Sequence, residues 1–112
     1  MNTHFMKLQP DPFSAIKSGK KKIELRLYDE KRRQLSLGDE IEFSLDPENR
    51  ETLKAKVIGL LIYSSFEDLI DDFEPEIFGS SSREELLTNL KKYYAESEER
   101  SYGVLGIKIE LV

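Results

Sequence analysis

Three side chains within the stretch Gly19 to Arg26 (G-K-K-K-I-E-L-R) have the types and spacing to do chemistry: Lys21, Glu24 and Arg26. A lysine taken partly out of water loses affinity for its proton and becomes a base towards water or a substrate hydroxyl. A nearby carboxylate shuttles protons or accepts a bond from the amino group of a nucleobase. A guanidinium orients that carboxylate, stabilises an oxyanion or contacts phosphate. Lys21 and Glu24 are therefore the candidate catalytic residues. Lys21, Glu24 and Arg26 are candidate ligand contacts, joined by Tyr28, Tyr63 and Tyr102, whose rings can stack on a base.

The elements around these residues follow from local pattern. From Lys21 onward the chain has period two, with Ile23, Leu25 and Leu27 on one face and Lys22, Glu24, Arg26 and Tyr28 on the other. Glu24 and Arg26 thus share a side of a strand. Lys21 has the parity of the apolar set, so regular alternation points it away from Glu24. A shared site requires a bulge near Lys21 or Lys22, or a position at the mouth of a barrel. A short helix precedes the strand, capped by Asp11, with Pro12 at its first position and Gly19 as its stop.

The remaining chain reads as an opening strand over His4–Leu8, a polar connection over Asp29–Leu37 with room for a short strand, and a Gly38-Asp39 turn. A strand around Ile41 and Phe43 follows, then a second turn at Asp46–Asn49 and a long strand over Thr52–Tyr63. The apolar end of that long strand is expected to be buried on both faces. Ser65 with Asp68 and Ser82 with Glu85 are capping boxes for two helices. Leu86, Leu87, Leu90, Tyr93 and Tyr94 form the inner stripe of the second. Ala95–Ser101 reads as a charged loop. Tyr102–Val112 reads as a closing strand with Ile107, Ile109 and Leu111 inward. The helices are segregated from the strands, which argues against a doubly wound sheet. The expectation is one α+β domain over residues 1–112: a small, mostly antiparallel barrel of five to six strands capped by about three helices.

Composition narrows the function. The 112 residues contain no cysteine, which excludes thiolate metal sites and cysteine nucleophiles and suits a reducing cytosol. With no membrane-length apolar run and no export-type leader, a cytoplasmic protein without membrane contact is expected. Net charge is −5, yet Lys17 to Arg33 holds eight basic and three acidic residues. A basic stripe on an acidic body steers a polyanion to one face; a solvated charged hairpin explains the same pattern. His4 is the only histidine and reads as structural or exposed. The carboxylates between Glu67 and Glu76 could hold magnesium or manganese, although acidic outer faces of amphipathic helices are common. The serine run at Ser80–Ser82 lacks the G-K-[ST] ending of a nucleotide loop. No metal ligand set and no cofactor is assigned.

Gly19-x-Lys21-x-x-Glu24-x-Arg26 resembles the G-x-K-x-x-E-x-R motif of the ASCH domain family. Similar too are Met6-x-Leu8, Phe13 with Ile16-Lys17, Arg26-Leu27 with Asp29–Arg32, Gly38-Asp39 with Ile41 and Phe43, and the Tyr102–Ile107 ending. The resemblance implies a PUA-like β-barrel and a ligand that is RNA or a nucleoside, bound in a cleft lined by the motif. One similar branch removes the acyl group from N4-acetylcytidine, using a lysine and a threonine of the motif and a further glutamate. Lys21 matches that lysine, whereas Glu24 stands at the threonine position, and the further glutamate falls among Glu67, Glu74 and Glu76. Another branch cleaves RNA with a divalent metal. The resemblance thus implies a binding module first and a hydrolase second. A protein-interaction domain for an acidic ligand is the plain alternative, and no protein partner is indicated.

Overall fold

The structure is a computed structural model describing residues 2–47 and 51–112. Among the described residues five strands form one sheet: β1 (Thr3–Leu8), β2 (Ile23–Leu27), β3 (Glu40–Leu45), β4 (Thr52–Tyr63) and β5 (Val104–Leu111). Their spatial order is β1-β3-β4-β5-β2. Only β1 and β3 run parallel; the other pairs are antiparallel. The sheet curls into a half-barrel, so β1 and β2 are its two free edges. The helices are α1 (Pro10–Lys17), α2 (Phe66–Asp71), α3 (Arg83–Tyr93) and α4 (Glu96–Tyr102).

Each face of the sheet carries its own apolar cluster. Met6, Phe13, Ile16, Ile41, Phe43, Val57, Leu105 and Ile107 fill the face that α1 closes. Ile23, Leu25, Leu27 and Val104 pack on the other face against Phe66, Leu69, Ile70 and Phe78. β2 is therefore buried on both sides, and this is what makes Glu24 a buried charge at 3% exposure. Phe13 and Leu69 are almost wholly shielded, and truncating such residues costs about 2–5 kcal/mol.

The structure departs from local expectation at several points. α1 begins at Pro10, with Gln9 before it; Asp11 and Pro12 lie in its first turn, where a missing N–H is harmless. The connection after β2 forms a helical turn at Arg32–Gln34 instead of a strand. Of the expected Ala95–Ser101 loop, Ala95 is the cap of α4 and the rest is helical, because Glu98 Oε1 accepts from the Ala95 N–H at 2.9 Å and the run holds no breaker. Tyr102 ends that helix, so the last strand starts at Val104. Leu111 and Tyr93 are 42% and 66% exposed, not inward. Ile58 and Ile62 are also open to solvent: a register shift between Val57 and Gly59 turns the strand, and β3 does not extend that far along β4. Asp46 and Pro47 form a turn, while the rest of the Asp46–Asn49 turn lies outside the described residues.

Candidate functional site

The site begins where α1 ends. Gly19 leaves the helix at φ 82°, a conformation that only glycine adopts without strain. Lys21 then precedes β2 instead of joining it. Its N–H donates to Ala15 O at 3.0 Å, and the next N–H, of Lys22, donates to Ile77 O at 2.8 Å. An isolated bridge ties Lys21 to Phe78. Strand parity therefore does not extend back past Ile23. Gly79 seals the arrangement: a Cβ there would lie 3.1 Å from Lys21 Cβ and 3.2 Å from Ala15 Cβ, at φ 82°. The lysine stem is thereby clamped between α1 and the turn over Pro75–Ile77.

These constraints turn Lys21 towards Glu24. Lys21 Nζ lies 2.7 Å from Glu24 Oε1, and Arg26 Nε donates to Glu24 Oε2 at 2.9 Å. Arg26 Nη2 lies 2.8 Å from the same oxygen. Oε1 also accepts the Leu25 N–H, which faces the free edge of β2. Both carboxylate oxygens are consequently engaged. Burial works against ionisation of Glu24, but Lys21 and then Arg26 outweigh it and lower the pKa to about 2. Burial likewise opposes the Arg26 charge, and Glu24 more than restores it, so the guanidinium pKa is raised.

Arg26 also spans the open side of the half-barrel. Its Nη2 donates to Lys7 O on β1 at 2.8 Å, and Lys31 Nζ donates to Phe5 O at 3.1 Å. The carbonyls that β1 cannot pair in the sheet are satisfied by two cations from the β2 side. The result is a seam between edge strands, with Lys21, Glu24 and Arg26 along one lip.

The ASCH domain family model matches residues 6–112. The chain belongs to the ASCH domain family. It is similar over its full length to the crystal structure of hypothetical protein PH0355, with 42% identity, complete coverage of both chains and a TM-score of 0.86. The solution structure of PF0455 from Pyrococcus furiosus is 38% identical, covering 98% of this chain and 97% of that one, with a TM-score of 0.75. The ASCH protein of Zymomonas mobilis shares the fold at 14% identity and a TM-score of 0.57, across 96% of this chain and 66% of that one. No curated protein matches the chain. The α+β half-barrel is the PUA-like fold that the motif implied.

The other named residues of this ASCH chain divide. Tyr28 follows Arg26 on the same face, and Arg33 stacks on it with its guanidinium carbon 4.2 Å from the ring centre. Arg33 Nη2 donates to Tyr102 O at 3.2 Å, so Tyr102 enters the region through its backbone while its ring is exposed. Tyr63 lies on the opposite face and donates to Asp72 Oδ2. It makes no described contact with Lys21, Glu24 or Arg26. His4 is bound to Asp39 at 2.8 Å, outside the seam.

Local pattern did not reveal two participants. Tyr94 belongs to the inner stripe of α3 and packs against Phe66 with ring centres 5.3 Å apart; its pKa is raised by burial first, with the charges of Arg26 and Glu24 acting on it next. Lys7 contributes a main-chain carbonyl, which no side-chain pattern can announce. A divalent ion does not fit beside Glu24. Glu24 is already flanked by two cations, and no cluster of three metal-ligating side chains occurs among the described residues.

Proposed function

We propose that this ASCH protein recognises RNA or a nucleoside at the seam beside Lys21 and Arg26. The observation that carries the reading is the asymmetry of the cluster: two cations share one carboxylate, and that carboxylate is full. A lysine ammonium has three N–H donors and a guanidinium five. Glu24 and Lys7 O take only part of that capacity, so the lip keeps a net positive charge and free donors. Such a lip suits phosphate and the carbonyl and ring-nitrogen acceptors of a base. Tyr28, held by Arg33, offers the adjacent ring. Glu24, with both oxygens taken, orients Lys21 and Arg26 and is not the first acceptor for a ligand. Placement in the cytoplasm belongs to this reading; no helix among the described residues is long and apolar enough to cross a membrane.

The contact between Lys21 and Glu24 supports a second reading, hydrolysis of an N4-acetylcytidine-like amide. The amine and carboxylate form the pair that such chemistry needs, with Arg26 beside them for an oxyanion. Lys21 acts as base only once the ligand takes Glu24 away from it. No step is routed through a metal.

NMR titration with nucleosides and short RNAs tests the first reading. Shifts should concentrate on residues 19–28 and on Tyr94, weaken as salt rises, and vanish in Arg26→Ala. Binding that survives reversal of Lys21 and Arg26 to glutamate would refute it. Release of acetate from N4-acetylcytidine, abolished by Lys21→Ala, is expected on the second reading; release at an unchanged rate in that variant excludes it.

A further inference from the structure

The outer edges of the sheet are guarded by charge. On β1 the carbonyls of Phe5 and Lys7 bond to Lys31 and Arg26, and on β2 the Leu25 N–H bonds to Glu24. β4 has an open stretch without such a guard. β3 pairs with β4 only over Thr52–Lys56, and the Gly38-Asp39 turn takes the N–H and C=O of Val57. From Gly59 to Tyr63, β4 pairs with β5 alone among the described residues. Ile109 of β5 donates its N–H to Lys22 O, and Gly103 O, just before β5, accepts the Tyr28 N–H. Odd-numbered positions of that strand therefore turn their main-chain groups towards β2. Leu60 and Ile62 stand opposite two of them, Ile107 and Leu105. Alternation in an antiparallel ladder thus points the N–H and C=O of Leu60 and Ile62 away from β5, to the open side.

Open edges normally carry charge, proline or a cover, because they pair with any extended chain that reaches them. This edge has none of these in its sequence. Val57–Ser65 (V-I-G-L-L-I-Y-S-S) holds no charged residue and no proline, in a chain where 35% of residues are charged. Ile58 and Ile62 are 50% and 57% exposed, and Leu37, next to the Gly38 N–H that bonds Val57 O, is exposed as well. The charges that bound the neutral stretch also have a sense. The first before it is Lys56 and the first after it is Glu67. A second copy laid antiparallel brings each lysine end to a glutamate end, whereas a parallel copy sets like charge against like. Between those ends no charge opposes the approach of two chains that each carry −5.

We propose that the open edge of β4 is an interface with a second copy of this chain, paired antiparallel about a two-fold axis at Leu61. Leu60 of each copy lies opposite Ile62 of the other, and the two residue pairs form about four main-chain hydrogen bonds. Cross-strand partners share a face, so the exposed Ile62 packs beside Leu60 of the second copy. Leu61 meets its own counterpart at the non-hydrogen-bonded position, with Cα atoms about 4.5 Å apart. Each copy offers the same patch, so the pairing closes on itself and stops at a dimer. β5 separates the interface from β2, and the dimer carries two seams. The inference goes beyond the reading of the seam and does not depend on it.

Sedimentation velocity over a concentration series from micromolar to near millimolar tests the pairing. The wild-type protein should pass reversibly from monomer to dimer. Ile62→Lys places a charge on the ribbon, and Ile62→Pro removes an edge N–H that β5 does not use. Each should raise the dimer Kd at least tenfold, with circular dichroism confirming that the monomer stays folded. Lys56→Glu should also weaken the dimer, and adding Glu67→Lys should restore it. The chain has no cysteine of its own, so single cysteines report the register. Under mild oxidation Leu61→Cys should form a disulfide-linked dimer, because the Cα separation at the axis suits that bond. Leu111→Cys, on the exposed end of β5, should not. A protein that stays monomeric throughout the series overturns the proposal. So does a dimer that both Ile62 variants leave intact, or an open-ended polymer in place of a dimer.

Discussion

Two buried carboxylates in this molecule have nearly the same acidity for opposite reasons. Glu24 and Asp39 are 3% and 4% exposed, and both have pKa values lowered to about 2. Asp39 is held first by His4 and then by the backbone N–H groups of Asn2 and Ser36. Glu24 is held by Lys21 and Arg26 against an opposing burial effect. Main-chain donors are fixed by the fold and are used up once the bond forms. Side-chain cations keep spare donors and can exchange one acceptor for another. Asp39 is therefore a bracket that ties the start of β1 to the turn before β3. Glu24 is the hub of a cluster of two side-chain cations.

Substitution should separate the bracket from the hub. The largest effect is expected for Glu24→Ala, which leaves two cations buried without a counter-charge. Urea denaturation should show a loss of about 3–5 kcal/mol, and ligand-dependent shifts at Lys21 and Arg26 should disappear. Arg26→Ala should come next, with a loss of about 2–4 kcal/mol from the broken buried pair and its hydrogen bonds. It should also accelerate amide exchange along the free edge of β1, which loses its cation at Lys7 O. Asp39→Asn should lower the denaturation midpoint less than Glu24→Ala and leave ligand shifts unchanged. If Asp39→Asn abolishes ligand binding as fully as Glu24→Ala, the distinction between the two carboxylates is lost.

Acid should act on both sites together. A carboxylate whose folded pKa lies below its unfolded value binds fewer protons when folded, so its contribution is complete above the unfolded pKa and lost below it. From ordinary values of 4.5 for Glu24 and 3.8 for Asp39 down to about 2, stability should fall continuously with pH. Glu24→Gln should flatten the upper part of that curve, measured as unfolding free energy against pH. The smallest expected effect is at the end of the seam: Arg33→Ala removes a stacking contact on Tyr28 worth about 0.5–1 kcal/mol. It should weaken base-dependent binding modestly.

The sequence showed much of this fold, and the reasons differ by region. Period two over Ile23–Leu27 and over Thr52–Tyr63 is a local signal, and both strands form there. The motif also located the cluster, because Glu24 and Arg26 share a face in any regular strand. The position of Lys21 was not legible. It depends on Ala15 O, Ile77 O and the close approach of Gly79, two of which come from a distant part of the chain. Tyr94 was concealed for a related reason. Helical spacing says that it faces inward but not that the charges of Arg26 and Glu24 act on it. α4 was missed because a run of charges resembles a loop until Glu98 caps its first turn.

The strand order has a consequence for how the site comes into being. β2 carries the motif near the beginning of the chain, yet its sheet partner is β5, the last strand in chain order. Loop closure over that separation must precede the contacts that reward it, which makes such pairings slow. During synthesis, Lys21, Glu24 and Arg26 emerge early on a strand that has no neighbour to lie against. They acquire their geometry only when the final strand slots between β4 and β2. The geometry of Lys21, Glu24 and Arg26 is therefore completed in one late step, when β5 pairs with β2.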